Sequence, residues 1–104
     1  MMNKKGRRVM EQTIQLEFNM TITRLAGYDY GKSVYENQIR DKINYTSPII
    51  RLVFPNRIVK IASSFVQGLF KGIVEQIGLD EIGKKVIVQA ASPQLEESIM
   101  SNLL

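Results

Sequence analysis

Hydrophobic and polar positions along this chain repeat with two distinct periods, and the longest regular stretch has the period of a helix. Between Ile61 and Ile77, residues Phe65, Val66, Leu69, Phe70, Ile73, Val74 and Ile77 fall on one face at about 100° per residue. Ser64, Gln67, Gly68, Lys71 and Glu75 fall on the other. The spacing predicts an amphipathic central helix, and burial of its stripe is worth roughly 10–20 kcal/mol before chain entropy is subtracted. Phe65 opens the stripe and is expected in the core. Ser63 and Ser64 stand where an N-cap belongs, next to amides that have no intrahelical partner.

The rest of the chain reads in order. Ile14, Leu16, Phe18, Met20 and Ile22 alternate with Thr13, Gln15, Glu17 and Asn19, the pattern of a half-buried strand. Arg24 to Gly31 reads as a turn, with Asp29 as the cap of a helix from about Gly31 to Asn44. That helix places Val34, Tyr35, Ile39 and Ile43 on one face and ends at Thr46-Ser47-Pro48. Ile49 to Phe54 is a second strand, Pro55-Asn56 a turn, and Ile58 to Ile61 an apolar lead into the central helix. Gly78 fits a C-terminal cap, followed by a connector from Leu79 to Gly83. Val86 to Ala90 is a third buried strand, and Ser92-Pro93 starts a last helix with Leu95, Ile99 and Leu103 as its stripe. Strands separated by helices predict the α/β class: a small single domain with a mixed sheet of about four strands and three helices.

Composition narrows the chemistry. A chain of 104 residues with 44% hydrophobic content supports one modest core. It contains no cysteine and no histidine, which excludes disulfides, thiol nucleophiles, Ser-His triads and metal ligation by those side chains. Asp80-Glu81 and Glu96-Glu97 are adjacent carboxylates that point apart on a helix, and Gly68-x-x-x-Gly72 lacks the Gly-Lys-Ser/Thr ending of a phosphate loop. No catalytic role, cofactor or metal is expected. No apolar run reaches the length of a membrane span, and Met1 to Arg8 is followed by Glu11 and Gln12, so the cytoplasm is the expected location. Asn19-Met20-Thr21 and Asn44-Tyr45-Thr46 match glycosylation acceptors by chance on that reading.

The net charge is +4, and Lys4, Lys5, Arg7 and Arg8 supply four of the 14 basic residues; the remaining ten balance the ten acids. Residues 1–10 therefore read as a flexible basic arm and residues 11–104 as one charge-balanced domain.

Leu52-Val53-Phe54, then Ile61-Ala62-Ser63-Ser64-Phe65, Gly68-Leu69-Phe70, Gly78 and a following Val-Ile-Val strand together carry a family resemblance. Over about its last three quarters the chain resembles the STAS-like domain family, relatives of sulfate-transporter and anti-sigma-factor-antagonist domains. The resemblance implies a STAS-like fold and a non-enzymatic, regulatory protein-interaction module. It also implies a partner such as a histidine-kinase-like ATPase or a serine kinase. Val53 stands where the family tends to carry Asp, and the segment from Leu52 to Phe65 is about one residue longer. In the anti-sigma antagonists the helix opens with Asp-Ser, then small residues and Gly; here Ala62 is at the Asp position, Ser63 at the phosphoacceptor position and Phe65 at the Gly position. Partner binding is thus implied more strongly than phosphorylation of Ser63.

The candidate partner-binding strip is Ser63, Ser64, Gln67, Gly68 and Lys71, on the start and outer face of the central helix. Phosphate on a serine there would face free amides, so the helix would tolerate it while an acidic partner was repelled. The plainer role for either serine is an N-cap worth about 1 kcal/mol. Gly68 is expected on the outer face, where a bald patch admits another backbone, and Gly72 at the edge of the buried stripe, where it admits a neighbouring element. The alternative function is a small nucleic-acid-associated protein that uses Lys4, Lys5, Arg7 and Arg8 with Arg24, Lys32 and Arg40.

Overall fold

The computed structural model describes residues 11–103. The basic arm, with Lys4, Lys5, Arg7 and Arg8, lies outside the described residues. In chain order the elements are β1 (Glu11–Gln15), β2 (Arg24–Leu25), α1 (Tyr28–Val34) running into a π-helical turn (Tyr35–Ile39), β3 (Ile49–Val53), β4 (Lys60–Ile61), α2 (Ser63–Lys85), β5 (Val86–Gln89) and α3 (Pro93–Leu103). Three strands form one sheet in the order β1-β3-β5, and β2 pairs separately with β4. The described residues form a small α/β domain with three α-helices.

Every pairing among the described residues is parallel, where a mixed sheet was expected. The reason lies in the connections: α1 and α2 each carry the chain back to the end of the sheet at which the previous strand began, and a parallel pair requires such a crossover. Register places Gln12, Ile50 and Val86 side by side, then Ile14, Leu52 and Val88. Ile14, Ile50, Leu52, Val86 and Val88 on this face are buried. The opposite face carries Thr13, Arg51 and Ile87 in register and stays partly exposed. There Arg51 Nε donates to Glu11 at 2.5 Å, and this hydrogen bond holds the Glu11 carboxyl below the ordinary carboxylate range.

The first strand is shorter than its alternation suggests. Beyond Leu16 the chain bends, because Asn19 Oδ1 accepts hydrogen bonds from the Thr21 amide and hydroxyl, and Met20 is left 79% exposed instead of facing the core. The two-residue strand β2 had no signal of its own in the sequence. It exists because Arg24 and Leu25 lie beside Lys60 and Ile61.

Helix α1 starts three residues earlier than expected. Its N-cap is Gly27, at φ 103°, and Asp29 sits in the first turn. The helix also stops sooner. Val34 and Ile39 are both buried although five residues apart, a spacing that separates them by about 140° on an α-helix. The widened turn, in which the Arg40 amide donates to the Tyr35 carbonyl at 2.8 Å, brings both to the core. Past Ile39 the backbone is held from outside the helix. Gln12 Nε2 donates to the Lys42 carbonyl and Gln12 Oε1 accepts from the Asn44 amide, while Asn44 Oδ1 accepts from Thr46.

Helix α2 carries the predicted stripe: Phe65, Val66, Leu69, Phe70 and Ile73 are buried, and Phe65 is fully so. Val74 and Ile77 are half-buried against the same core. Phe18, Phe54 and Tyr30 gather around the start of this stripe, with Phe18 stacked on Phe54 at 6.4 Å and Tyr30 edge-on to Phe65 at 5.4 Å. Gly78, at φ 80° and ψ 162°, interrupts the helix where a C-terminal cap was expected. The expected connector beyond it is helical instead. In α3, Ser92 Oγ accepts from the Leu95 amide, the predicted cap, and Ile99 and Leu103 are buried.

Candidate functional site

The carboxyl ends of β2 and β4 deliver the chain directly into α1 and α2, so the first turns of both helices lie at one corner of the domain. Within α2 the N-cap is Ala62, in extended conformation, and no side chain caps the helix. The expectation that Ser63 or Ser64 is the cap is therefore corrected: both stand one position or more inside the helix, where a hydroxyl no longer reaches the amides of the first turn in the N-cap geometry. Ser64 turns across the corner. Its Oγ accepts the Gly27 amide at 3.0 Å and ties the start of α2 to the start of α1. Ser63 is exposed.

Gly68 is not a surface position. It is buried, and a Cβ there would press on the Tyr28 carbonyl, whose carbon would lie 2.9 Å away. Gly31 on α1 makes the reciprocal approach, with the Leu69 amide nitrogen 2.7 Å from an added Cβ. Gly72 faces the Tyr35 ring one turn on. The bald patch expected on the outer face is thus occupied by α1, which meets α2 backbone to backbone. Gly68 leaves the candidate strip, because the partner it admits is this chain's own first helix.

The rest of the strip is exposed but partly engaged. Gln67 Nε2 donates to the Asn102 carbonyl at 2.6 Å, which fastens α2 to the end of α3. Lys71 pairs with Glu75 along the helix, and that hydrogen bond raises the Lys71 ammonium above its ordinary range. Ser63, Ser64, Gln67 and Lys71 therefore share one exposed side of α2, and only Ser63 and Ser64 belong to the corner.

Register adds two residues to that corner. Arg24 and Lys60 are direct neighbours across the β2–β4 pair, both are exposed, and each lies just before a helix start. The corner thus carries two exposed cations and one acid, Asp29 in the first turn of α1. The sequence names Arg24 among basic residues, but nothing short of the strand register brings it to Lys60. Lys32 and Arg40 lie farther along, in the groove between α1 and α2 that Lys71 also lines. Lys32 approaches the Tyr28 ring there, 6.0 Å from its centre.

Among the described residues no group of three or more acidic side chains could hold a metal ion, and no helix is long and apolar enough to cross a membrane. Compared with known proteins, the chain matches no family model, no curated protein and no solved structure.

Proposed function

We propose that this chain is a non-enzymatic, cytoplasmic regulatory module of the STAS-like kind, which binds an acidic surface of a protein partner at the corner where α1 and α2 begin. The observation that supports the reading is the cross-strand pairing of exposed Arg24 and Lys60, with exposed Ser63 three residues after Lys60 in the first turn of α2. An acidic partner gains from both cations and from the helix N-termini behind them. A phosphate on Ser63 would bring close to two negative charges into the same corner, tolerated by the helix and repulsive to the partner. The class of partner that the family resemblance implies is a histidine-kinase-like ATPase or a serine kinase.

Capture from the native host with wild type, Ser63→Asp and the charge reversal Lys60→Glu, followed by titration of the isolated partner, tests this reading. Both variants are expected to weaken binding at least tenfold, about 1.4 kcal/mol, with melting temperatures close to wild type. Equal affinity for all three proteins would remove the corner. Retention of DNA or RNA that falls steeply with salt and is unaffected by Ser63→Asp would favour the nucleic-acid alternative instead.

A further inference from the structure

A cleft lies beyond the carboxyl ends of β1 and β3. Arg57, in the turn after β3, reaches back across this end. Its Nη2 donates to the Phe18 carbonyl and, at 3.1 Å, to the Asn19 carbonyl. Its Nε is shielded from solvent and has no acceptor among the described residues. None of the four ion pairs among those residues includes Arg57. This guanidinium is thus a partly desolvated cation that pairs with no carboxylate among the described residues.

The guanidinium lines a cleft of about 310 Å³ whose apolar walls are Leu16, Phe18, Met20 and Pro55. Leu16 is buried in the core and Phe18 is half-buried against it, held by its stack on Phe54, whereas Met20 is largely free at the mouth. An apolar cleft of this size with one convergent charged group suits a small molecule with an apolar body and an anionic end. Glu17 also lines the cleft. One guanidinium beside one carboxylate balances a single added negative charge poorly and a double one worse, which selects a monoanion over a phosphate. Arg57 supplies the charge-assisted hydrogen bonds that a planar carboxylate accepts.

We propose that this cleft binds a small apolar monocarboxylate, with its carboxylate on Arg57 and its body against Phe18 and Met20. None of Ser63, Arg24 and Lys60 lines the cleft, although its wall Phe18 also packs on Phe65 at the start of α2. The test is an NMR titration of the isotope-labelled full chain that follows the Arg57 Hε resonance and the amides of Phe18 and Met20. The probes are phenylacetate and hexanoate, with phenylacetamide as the neutral analogue and inorganic phosphate as the dianion. Saturable shifts at all three positions in the millimolar range are expected with both carboxylates, and none with the amide. Arg57 also clips the loop carbonyls, so its replacement could disturb folding. The variants are therefore Met20→Glu, which should weaken phenylacetate at least tenfold by repulsion at the mouth, and Glu17→Gln, which should tighten it several-fold. The proposal is overturned by equal shifts with acid and amide, by a still Arg57 Hε, by phosphate binding as tightly as the carboxylates, or by indifference to both variants.

Discussion

Helix α2 has two halves that differ in what their glycines mean. Before Gly78 the helix is pressed on two sides: Phe65, Leu69, Phe70 and Ile73 pack into the core, while Gly68 receives α1 and Gly72 the Tyr35 ring. After Gly78, Ile82 is the one buried side chain, Leu79 is 42% exposed, and an added Cβ at Gly83 meets open space. The first half is where the domain has no room, and the second is where it has room unused. One residue type thus marks closest approach in one half and mere chain entropy in the other.

The contrast can be broken most severely at Phe65. Its truncation in Phe65→Ala removes a fully buried ring that Phe18 and Tyr30 surround, and is expected to cost about 3–5 kcal/mol by denaturant unfolding. A loss near 1 kcal/mol would mean that the aromatic cluster closes over the gap.

Gly68→Ala comes next. The obstructing atoms belong to the α1 backbone and cannot rotate away, so about 2 kcal/mol should be lost despite alanine's better helix propensity. Gly68→Arg should not give a cooperatively folded domain at all. A melting temperature unchanged by Gly68→Ala would show that the helices separate freely and that the close approach is dispensable.

At the junction of the halves, Gly78→Ala tests the backbone alone, since nothing lies within 4 Å of the added Cβ. The conformation at φ 80° and ψ 162° is one that side chains avoid, and about 1–2 kcal/mol should be lost. Gly83→Ala, in the second half, should act in the opposite direction and stabilise by about 0.5–1 kcal/mol. Were both substitutions destabilising, Gly83 would have a packing role and the two halves would not differ as described.

The smallest effect is expected from Glu75→Gln, which removes the Lys71 partner on the exposed side of the first half. The pair raises the folded-state Lys71 pKa above its ordinary 10.5, so its contribution is present in full below that pH and disappears as pH rises through the folded value. Melting curves of wild type and variant should therefore differ slightly at pH 7, by less than Gly83→Ala shifts them, and converge in strong base. A gap that persisted there would assign the effect to something other than charge.

Much of α2 was legible because its information is local. The stripe from Phe65 to Ile73 is written in a 3.6-residue period, Gly78 marks the break, and Ser92-Pro93 marks the start of α3; each depends on neighbours in sequence. Strand Ile49–Val53 and the buried Val86 and Val88 were equally plain, since alternation and apolar runs reflect burial directly. The misplaced elements depended on groups far away in the chain. Helix α1 ends at the π turn because the core needs both Val34 and Ile39, and Gln12, some 30 residues distant, takes the backbone groups that would have continued it. Gly68 was assigned to the outer face because a hydrophobicity pattern records side chains, and this contact is made by backbones on both sides.

Sequence alone thus determined the α/β class, the buried stripe of α2 with Phe65 at its head, and the cap of α3, all set by residues a few positions apart. Only the tertiary structure decided that the strands pair in parallel, that Gly31 and Gly68 bring two helices together, that Arg24 lies beside Lys60, and that Arg57 donates to the Phe18 carbonyl. Each of these is a meeting of residues some 30 or more positions apart, and chain periodicity carries no record of which distant segment will fill the space beside it.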